Sequence, residues 1–232
     1  MKKTSLKIAA LLLVAGSTQA ISITQTNTFG GTPNYSNALT FTKFDTMGGT
    51  LTLSGINVSV FLLTEAQGGV GVDNDGATAA SGTVTMGTKL TLAMRSGGPR
   101  LLNEDAEGLP TLYATTSKSI SLAGDDGDLT VFSTSGTDYD VMNIEETQSS
   151  ISINIGEVYW SRYAGTGTYS FDALVDQSTD FSSFGGSQTL INPMAARGNV
   201  VVTYNFIPEP ASASMAILVL IAGFWVRRRF ID

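Results

Sequence analysis

The 232-residue sequence predicts an all-β protein built as an antiparallel β-sandwich, in either a jelly-roll or an immunoglobulin-like arrangement. Apolar residues alternate with Thr, Ser and Asn along many short segments, which places one face of each strand in a core and the other in water. Glycine-rich breaks separate these segments, and no segment of the domain has a sustained helical period. Many short strands joined by turns are typical of a sandwich.

The alternation identifies individual strands in chain order. The alternating residues are Leu51 and Leu53; Ile56, Val58 and Val60; Val84 and Met86; Leu90, Leu92 and Met94; Ile151, Ile153 and Ile155; Tyr169 and Phe171; and Val200, Val202, Tyr204 and Phe206. Breaks fall at 48–49, 68–69, 97–99, 124–127 and 185–186. No repeat of fixed period is present, which disfavours a solenoid or a propeller.

Residues 1–20 predict a secretory signal peptide. Lysines in the first seven residues precede the apolar run 8–15, and small residues end this segment at Ala20. A positively charged segment, a short apolar segment and a small-residue site occur in this order in signal peptides, so we expect cleavage after Ala20. The exported domain is then 21–206.

Residues 207–232 predict a membrane-directed tail. As a helix, 211–226 would span about 24 Å, slightly less than the roughly 30 Å hydrocarbon core of a bilayer. Arginines behind this span favour a cytoplasmic end, so the domain faces outward. The prolines interrupt any helix and predict an exposed, extended tripeptide that a protease can reach. The expected processing motif comprises Pro208, Glu209, Pro210, Arg227, Arg228 and Arg229.

Composition excludes several kinds of chemistry. Without Cys or His, the chain has no disulfide, no thiol catalysis, no Ser-His-Asp triad and no histidine metal centre. Between 21 and 207, 7 basic residues face 18 acidic ones, a net charge near −11. Such a charge disfavours nucleic-acid binding and favours cations, basic partners or neutral polymers such as sugars.

The tail resembles a known sorting signal. The sequence Pro208-Glu209-Pro210, a short apolar run and a final arginine cluster are similar to the PEP-CTERM signal of Gram-negative bacteria. This resemblance implies recognition by an exosortase in the inner membrane, removal of the tail, and association with exopolysaccharide, biofilm or floc formation. A plain membrane anchor that is never cut is the alternative reading.

The body of the chain resembles the choice-of-anchor E domain. The similarity lies in Leu39-Thr-Phe-Thr-Lys-Phe-Asp45, Gly49-Thr-Leu-Thr-Leu53, Gly165-Thr-Gly-Thr-Tyr169 and Val201-Val-Thr-Tyr204. It covers about residues 24–206 and implies an exported module joined to a C-terminal anchor, with no established catalytic activity. These motifs consist of strand and turn residues, so they indicate architecture rather than function.

Two acidic loops are candidate Ca²⁺ sites, and Ca²⁺ is the one cofactor that we consider. Carboxylate and carbonyl oxygens on a Gly-containing loop are the hard ligands that Ca²⁺ takes in proteins. Neither loop has the EF-hand spacing, and an Asp/Asn/Gly turn is the alternative reading of each. The candidate ligands are Asp73, Asp75, Asp125, Asp126 and Asp128.

Carbohydrate chemistry would need aromatic rings or a carboxylate pair. Tyr159 and Trp160 are candidates for stacking on a sugar ring, although neighbouring residues of a strand point to opposite faces. A glycosidase needs two carboxylates about 5 to 9.5 Å apart, and the candidates are Glu145, Glu146 and Glu157. Ser-Lys catalysis is disfavoured, because we expect the domain's lysines on solvated strand faces.

We therefore expect no enzyme. The sequence favours a structural or adhesive protein that passes the inner membrane, is held transiently on its periplasmic side, and reaches the cell surface or extracellular matrix. The expected partners are an exosortase, the inner membrane and extracellular polysaccharide, and not nucleic acid. The second hypothesis is a carbohydrate-binding module, and the third is a polysaccharide hydrolase with a carboxylate pair.

Overall fold

A computed structural model describes residues 20–95, 98–127, 132–182, 184 and 186–209. Within these residues eleven strands and two 3₁₀ helices follow one another. The strands are β1 (Ile21–Gly31), β2 (Tyr35–Thr42), β3 (Leu51–Thr64), β4 (Gly69–Asn74), β5 (Ala80–Met94), β6 (Leu112–Leu122), β7 (Tyr139–Asn143), β8 (Thr147–Asn154), β9 (Thr168–Ser182), β10 (Ser187–Asn192) and β11 (Ala196–Pro208). The 3₁₀ helices are Met47–Gly49 and Glu157–Arg162.

Eight of these strands form two four-stranded antiparallel sheets. The front sheet has the order β1-β11-β3-β8, and the back sheet has the order β2-β9-β5-β6. Buried side chains from both sheets share one core, so the domain is the predicted β-sandwich. The two strand orders are those of a jelly roll, one of the two predicted arrangements.

The core between the two sheets is aliphatic and aromatic. Most of the alternating residues identified in the sequence are buried in it, as expected for strands with one face covered. The aromatic rings of this core contact one another. Phe41 packs on Phe171 within the back sheet with ring centroids 5.8 Å apart, and Phe44, which follows β2, packs on Phe206 of the front sheet at 5.2 Å. The core also contains Val58, Val60, Leu62, Leu90, Ala173, Val175, Val200 and Val202.

A β-bulge explains a change of phase in the apolar pattern. The buried residues of β3 change from odd to even positions between Leu53 and Ile56. The register against β11 shifts at this point: Gly55 faces Asn205, whereas Leu53 faces Phe206. The extra residue turns the first part of β3 over, so both halves direct their apolar side chains toward the core.

A third, smaller sheet was not predicted. It has the order β10-β4-β7 and shares a second core with the ends of β5 and β6. Each of its strands lies in a connection between sandwich strands, and short strands such as β4 and β7 give too little alternation to be identified from sequence. The second core contains Val70, Val72, Val84, Met86, Ile120, Leu122, Met142, Ile144 and Met194.

The predicted processing sites lie at the edges of the described structure. Strand β1 begins at Ile21, directly after the exposed Ala20, and residues 1–19 lie outside the described part. At the other end, Pro208 closes β11 and the predicted span 211–226 also lies outside it. Among the described residues, no helix has the length and apolar character to cross a membrane.

Gly198 provides a test of the front sheet. A Cβ atom at this position would overlap the carbonyl oxygen of Phe61 and the ring of Phe29. We expect Gly198→Ala to lower the free energy of unfolding by about 1–3 kcal/mol, because the packed backbone cannot move aside. Chemical denaturation measures this difference. Gly55→Ala is the matched control: its Cβ would lie 3.4 Å from the Asn205 side-chain nitrogen and should change stability little. If both variants lower the free energy of unfolding equally, the close packing around Gly198 is contradicted.

Candidate functional site

Three chain segments meet beside the third sheet and bring acidic residues together. They are the turn after β4, the loop after β6 and the segment that enters β7. Backbone hydrogen bonds join them: the Asn74 N–H donates to the Asp138 carbonyl at 3.0 Å, and the Asp125 N–H donates to the Gly76 carbonyl at 2.9 Å. The Asn74 side chain also donates to the carbonyl of Ala123. The loops are therefore held in place by the strands that they connect.

Asp125, Asp126 and Asp138 form a carboxylate cluster. One carboxylate oxygen from each residue lies within 4.8 Å of the others. Asp126 is exposed, whereas Asp138 is fully buried, and the Asp126 N–H donates to Asp138 Oδ2 at 2.9 Å. The other oxygen, Asp138 Oδ1, is buried and has no hydrogen-bond partner among the described residues. Oxygen ligands of this kind suit Ca²⁺ or Mg²⁺.

The predicted acidic ligands separate in the structure. Asp125 and Asp126 belong to the cluster, but Asp73 and Asp75 do not join it. Asp73 is buried and accepts a hydrogen bond from the Ser133 N–H at 2.6 Å. It lies opposite Tyr139, the neighbour of Asp138 in the chain, and therefore on the other face of the pleat. Asp128 lies outside the described residues.

Sequence reasoning missed Asp138, the most buried carboxylate of the cluster. It lies twelve residues beyond Asp126, in a Ser/Thr/Gly-rich stretch without a recognisable ligand spacing. The sequence shows only a glycine two residues earlier, Gly136. In the structure its φ is 120°, a value that is rare for other residues. The meeting of the two loops depends on the third sheet, which the sequence did not reveal.

The predicted sugar-stacking pair lies on a 3₁₀ helix and not on a strand. Tyr159 and Trp160 are half-buried, pack against the main core, and belong to the helix Glu157–Arg162. The Trp160 Nε1–H donates to the Ile155 carbonyl at 2.8 Å. The prediction that the two rings point to opposite faces of a strand was wrong, because both residues lie on a 3₁₀ helix. Sugar stacking by these rings stays a prediction.

The predicted carboxylates for hydrolysis lie on exposed connections. Glu145 and Glu146 follow β7, and Glu157 begins the second 3₁₀ helix. All three are exposed, and the Glu157 N–H donates to Glu104 Oε1 at 2.9 Å. Because they are exposed, these carboxylates lack the desolvated surroundings that are typical of a catalytic acid.

The processing motif begins at the end of a central strand. Pro208 is half-buried, and Glu209 is exposed. The Glu209 N–H donates to the Thr50 carbonyl at 2.9 Å, and the Thr52 hydroxyl donates to Glu209 Oε1 at 3.1 Å. Hydrogen bonds therefore hold the first two residues of the tripeptide against the beginning of β3. Pro210 and Arg227 to Arg229 lie outside the described residues.

A basic cleft is the second candidate site, and the sequence did not predict it. The cleft has a volume of about 200 Å³. Its three cationic side chains come from distant positions: Lys43 follows β2, Arg95 follows β5, and Arg162 ends the second 3₁₀ helix. Among the described residues, no carboxylate lines it, although the domain is strongly acidic. The other lining residues are Gly98, Pro99, Thr168, Tyr169 and Ser170.

The three cations of the basic cleft differ in their partners. Arg95 is paired with Asp172, since its Nε–H lies 2.9 and 3.1 Å from the two carboxylate oxygens. Lys43 and Arg162 form no ion pair among the described residues. Lys43 is half-buried and Arg162 is exposed. Two uncompensated positive charges therefore face one concave surface, which is suited to an anionic ligand.

The buried Tyr169 forms the floor of this cleft and is hydrogen-bonded to a second buried tyrosine. The Tyr169 and Tyr204 hydroxyl oxygens lie 2.7 Å apart, and the Tyr204 hydroxyl donates to the Thr42 carbonyl at 3.1 Å. Because Tyr204 uses its proton there, Tyr169 donates to Tyr204. Burial raises the pKa of Tyr204 to about 12. Burial also raises the pKa of Tyr169 and of Tyr163 well above the usual range, and the nearby Tyr204 raises both further.

Alkaline pH tests these buried tyrosines. Each has a higher pKa in the folded state than the value near 10 of an unfolded chain, so the unfolded state ionises first. These tyrosines therefore contribute fully to the free energy of unfolding below about pH 10, and their contribution decreases as the pH rises toward 12. The decrease is about 1.4 kcal/mol per pH unit for each tyrosine that is still neutral in the folded state. Denaturation between pH 9 and 12 measures the slope. We expect a smaller slope for Tyr204→Phe, and an unchanged slope would contradict the assignment.

Comparisons with known proteins assign no family. No protein-family model matches the sequence, and no curated protein matches it. Among solved structures, the chain is similar to one of infectious bursal disease virus, Gx strain, with 9% identity and a TM-score of 0.24 over 93% of this chain and 48% of that one. A structure of the T13 particle of this virus gives 10% identity and a TM-score of 0.25, with 92% and 45% coverage. The chain thus spans about half the length of these matches. Likenesses this weak assign neither function nor ancestry.

Proposed function

We propose that this chain is an exported, non-enzymatic β-sandwich protein of the cell surface or extracellular matrix that associates with an anionic polysaccharide. The basic cleft is the observation that supports polysaccharide binding. In the part of the chain that the structure describes, Lys43 and Arg162 form no ion pair, whereas most other cations of the domain do. The carboxylates of a uronic-acid polymer are ligands that these two side chains can bind.

The route to the surface is part of the same proposal. The predicted signal peptide and the PEP-CTERM resemblance support export and processing by an exosortase, with the domain transiently held at the inner membrane. The choice-of-anchor E resemblance supports an exported module. The position of Glu209 at the end of β11 agrees with this route, because a cut behind the motif would remove no described strand.

Binding to a uronic-acid polymer tests the basic cleft. We expect the purified full-length chain to bind alginate, a polyanion of uronic acids, more tightly than neutral dextran, and added salt should weaken this binding. The double substitution Lys43→Gln with Arg162→Gln should reduce affinity about tenfold or more, because two charge-assisted contacts are lost. Isothermal titration calorimetry measures both affinities.

The control variant removes the same charge elsewhere. Lys89 and Arg197 form exposed ion pairs with Asp176 and Glu65. We expect Lys89→Gln with Arg197→Gln to bind alginate nearly as well as the wild type. If both double variants lose the same affinity for alginate, binding depends on the net charge of the domain and not on the basic cleft. No binding to alginate by the wild type would contradict the proposed cleft.

A carbohydrate-binding module is the second candidate function, and the concave shape of the basic cleft favours it. A glycan array separates it from a purely structural or adhesive role. Saturable micromolar binding to one glycan, lost in the Lys43 and Arg162 double variant, would identify a specific module. Weak binding that follows only the charge of the polymer would identify a general matrix component.

The mature C-terminus tests the sorting route. We expect mass spectrometry of the protein from its natural host to find a chain that ends near Pro208-Glu209-Pro210 and lacks the arginines of the tail. The mature N-terminus should be Ile21, after removal of the signal peptide. Retention of Arg227 to Arg229 in the mature protein would instead identify a permanent membrane anchor.

A further inference from the structure

The carboxylate cluster carries an inference that is independent of polysaccharide binding. Oxygens of Asp125, Asp126 and Asp138 lie within 4.8 Å of one another. Negative charges this close repel, and among the described residues no ion pair reaches Asp126 or Asp138. The domain therefore concentrates negative charge at a point where its own side chains supply no cation to these two residues.

The buried oxygen of Asp138 is an independent indication of a ligand. Asp138 is 0% exposed, and its Oδ1 has no hydrogen-bond partner in the described part of the chain. An unpaired buried carboxylate oxygen is costly, so such atoms usually bind a proton donor or a metal ion.

The glycine beside the cluster shows where this oxygen points. A Cβ atom built on Gly136 would lie 2.5 Å from Asp138 Oδ1 and 2.8 Å from Asp126 Oδ2. Both oxygens are therefore directed toward the Gly136 Cα, where a side chain would overlap them. Glycine at this position lets the two carboxylates approach each other.

We propose that Asp125, Asp126 and Asp138 bind a Ca²⁺ ion. Three carboxylates offer up to six oxygens, and water completes the six to eight ligands that Ca²⁺ takes. Ca²⁺ tolerates irregular loop geometry, whereas Mg²⁺ requires a near-ideal octahedron at shorter distances. Zn²⁺ is disfavoured, because the chain has no Cys or His.

The ion would connect two layers of the fold. Asp125 and Asp126 follow β6 of the back sheet, and Asp138 directly precedes β7 of the third sheet. Binding at this point ties the third sheet to the sandwich beside the second core. Calcium in extracellular modules binds with dissociation constants of about 0.1 to 1 mM, so the third sheet would depend on Ca²⁺ outside the cell.

Thermal unfolding with and without calcium tests this site. At a free Ca²⁺ concentration about 100-fold above the dissociation constant, we expect the melting temperature of the full-length chain to exceed that in EGTA by about 5 to 10 °C. Isothermal titration calorimetry should detect Ca²⁺ binding directly, with weaker binding of Mg²⁺. No Ca²⁺ binding up to about ten times the expected dissociation constant of 1 mM would overturn the proposal.

Variants distinguish metal binding from a structural role of Asp138. Asp138→Asn should abolish Ca²⁺ binding and the calcium-dependent rise, yet melt in EGTA no lower than the wild type, because a buried charge is removed. If the variant melts at a lower temperature but binds Ca²⁺ as tightly as the wild type, Asp138 has only a structural role. If Asp138→Asn does not fold, Asp126→Asn tests the site instead, because Asp126 is exposed. We expect this variant to bind Ca²⁺ about tenfold more weakly. The exposed Asp105→Asn is the control and should bind Ca²⁺ like the wild type.

Discussion

The apolar interface between the two four-stranded sheets is the constraint on which the rest of the structure depends. Without disulfides, the domain relies on this core, where Val, Leu and aromatic side chains from both sheets interdigitate. The hydrogen bond between Tyr169 and Tyr204 joins the sheets at one point of this interface. Its continuation to the Thr42 carbonyl fixes the end of β2 and hence the position of Lys43. The floor of the basic cleft is thus part of the core.

The third sheet extends this arrangement by a second, smaller core. Strands β4, β7 and β10 lie in connections of the sandwich, and their apolar side chains cover the ends of β5 and β6. Residues at the ends of these strands, such as Asn74 and Asp138, are buried with their polar groups. The Asn74 side chain donates to two backbone carbonyls, but one oxygen of Asp138 has no partner within the described residues. The acidic cluster is therefore a product of the insertions and not of the sandwich itself.

Sequence reasoning predicted the sandwich because period-two burial is a local property of each strand. It could follow β3 through its bulge, since both halves keep their own alternation. It could not identify the sites, because these depend on long-range pairing. Lys43, Arg95 and Arg162 are far apart in the chain, and Asp138 joins Asp126 only through the third sheet. Tyr159 and Trp160 were assigned to a strand because a six-residue 3₁₀ helix leaves no periodic signal.

Charge distribution connects the two candidate sites. Of the basic residues in the domain, Lys89, Arg95, Lys118 and Arg197 form ion pairs with neighbouring carboxylates. Among the described residues, Lys43, Arg100 and Arg162 form no ion pair, and two of these three, Lys43 and Arg162, line one cleft. Two unpaired cations on one concave surface attract an anion locally, within a domain whose net charge is near −11. In the same way, the cluster of Asp125, Asp126 and Asp138 attracts a cation. The electrostatics of this domain are thus balanced best with ligands of both signs.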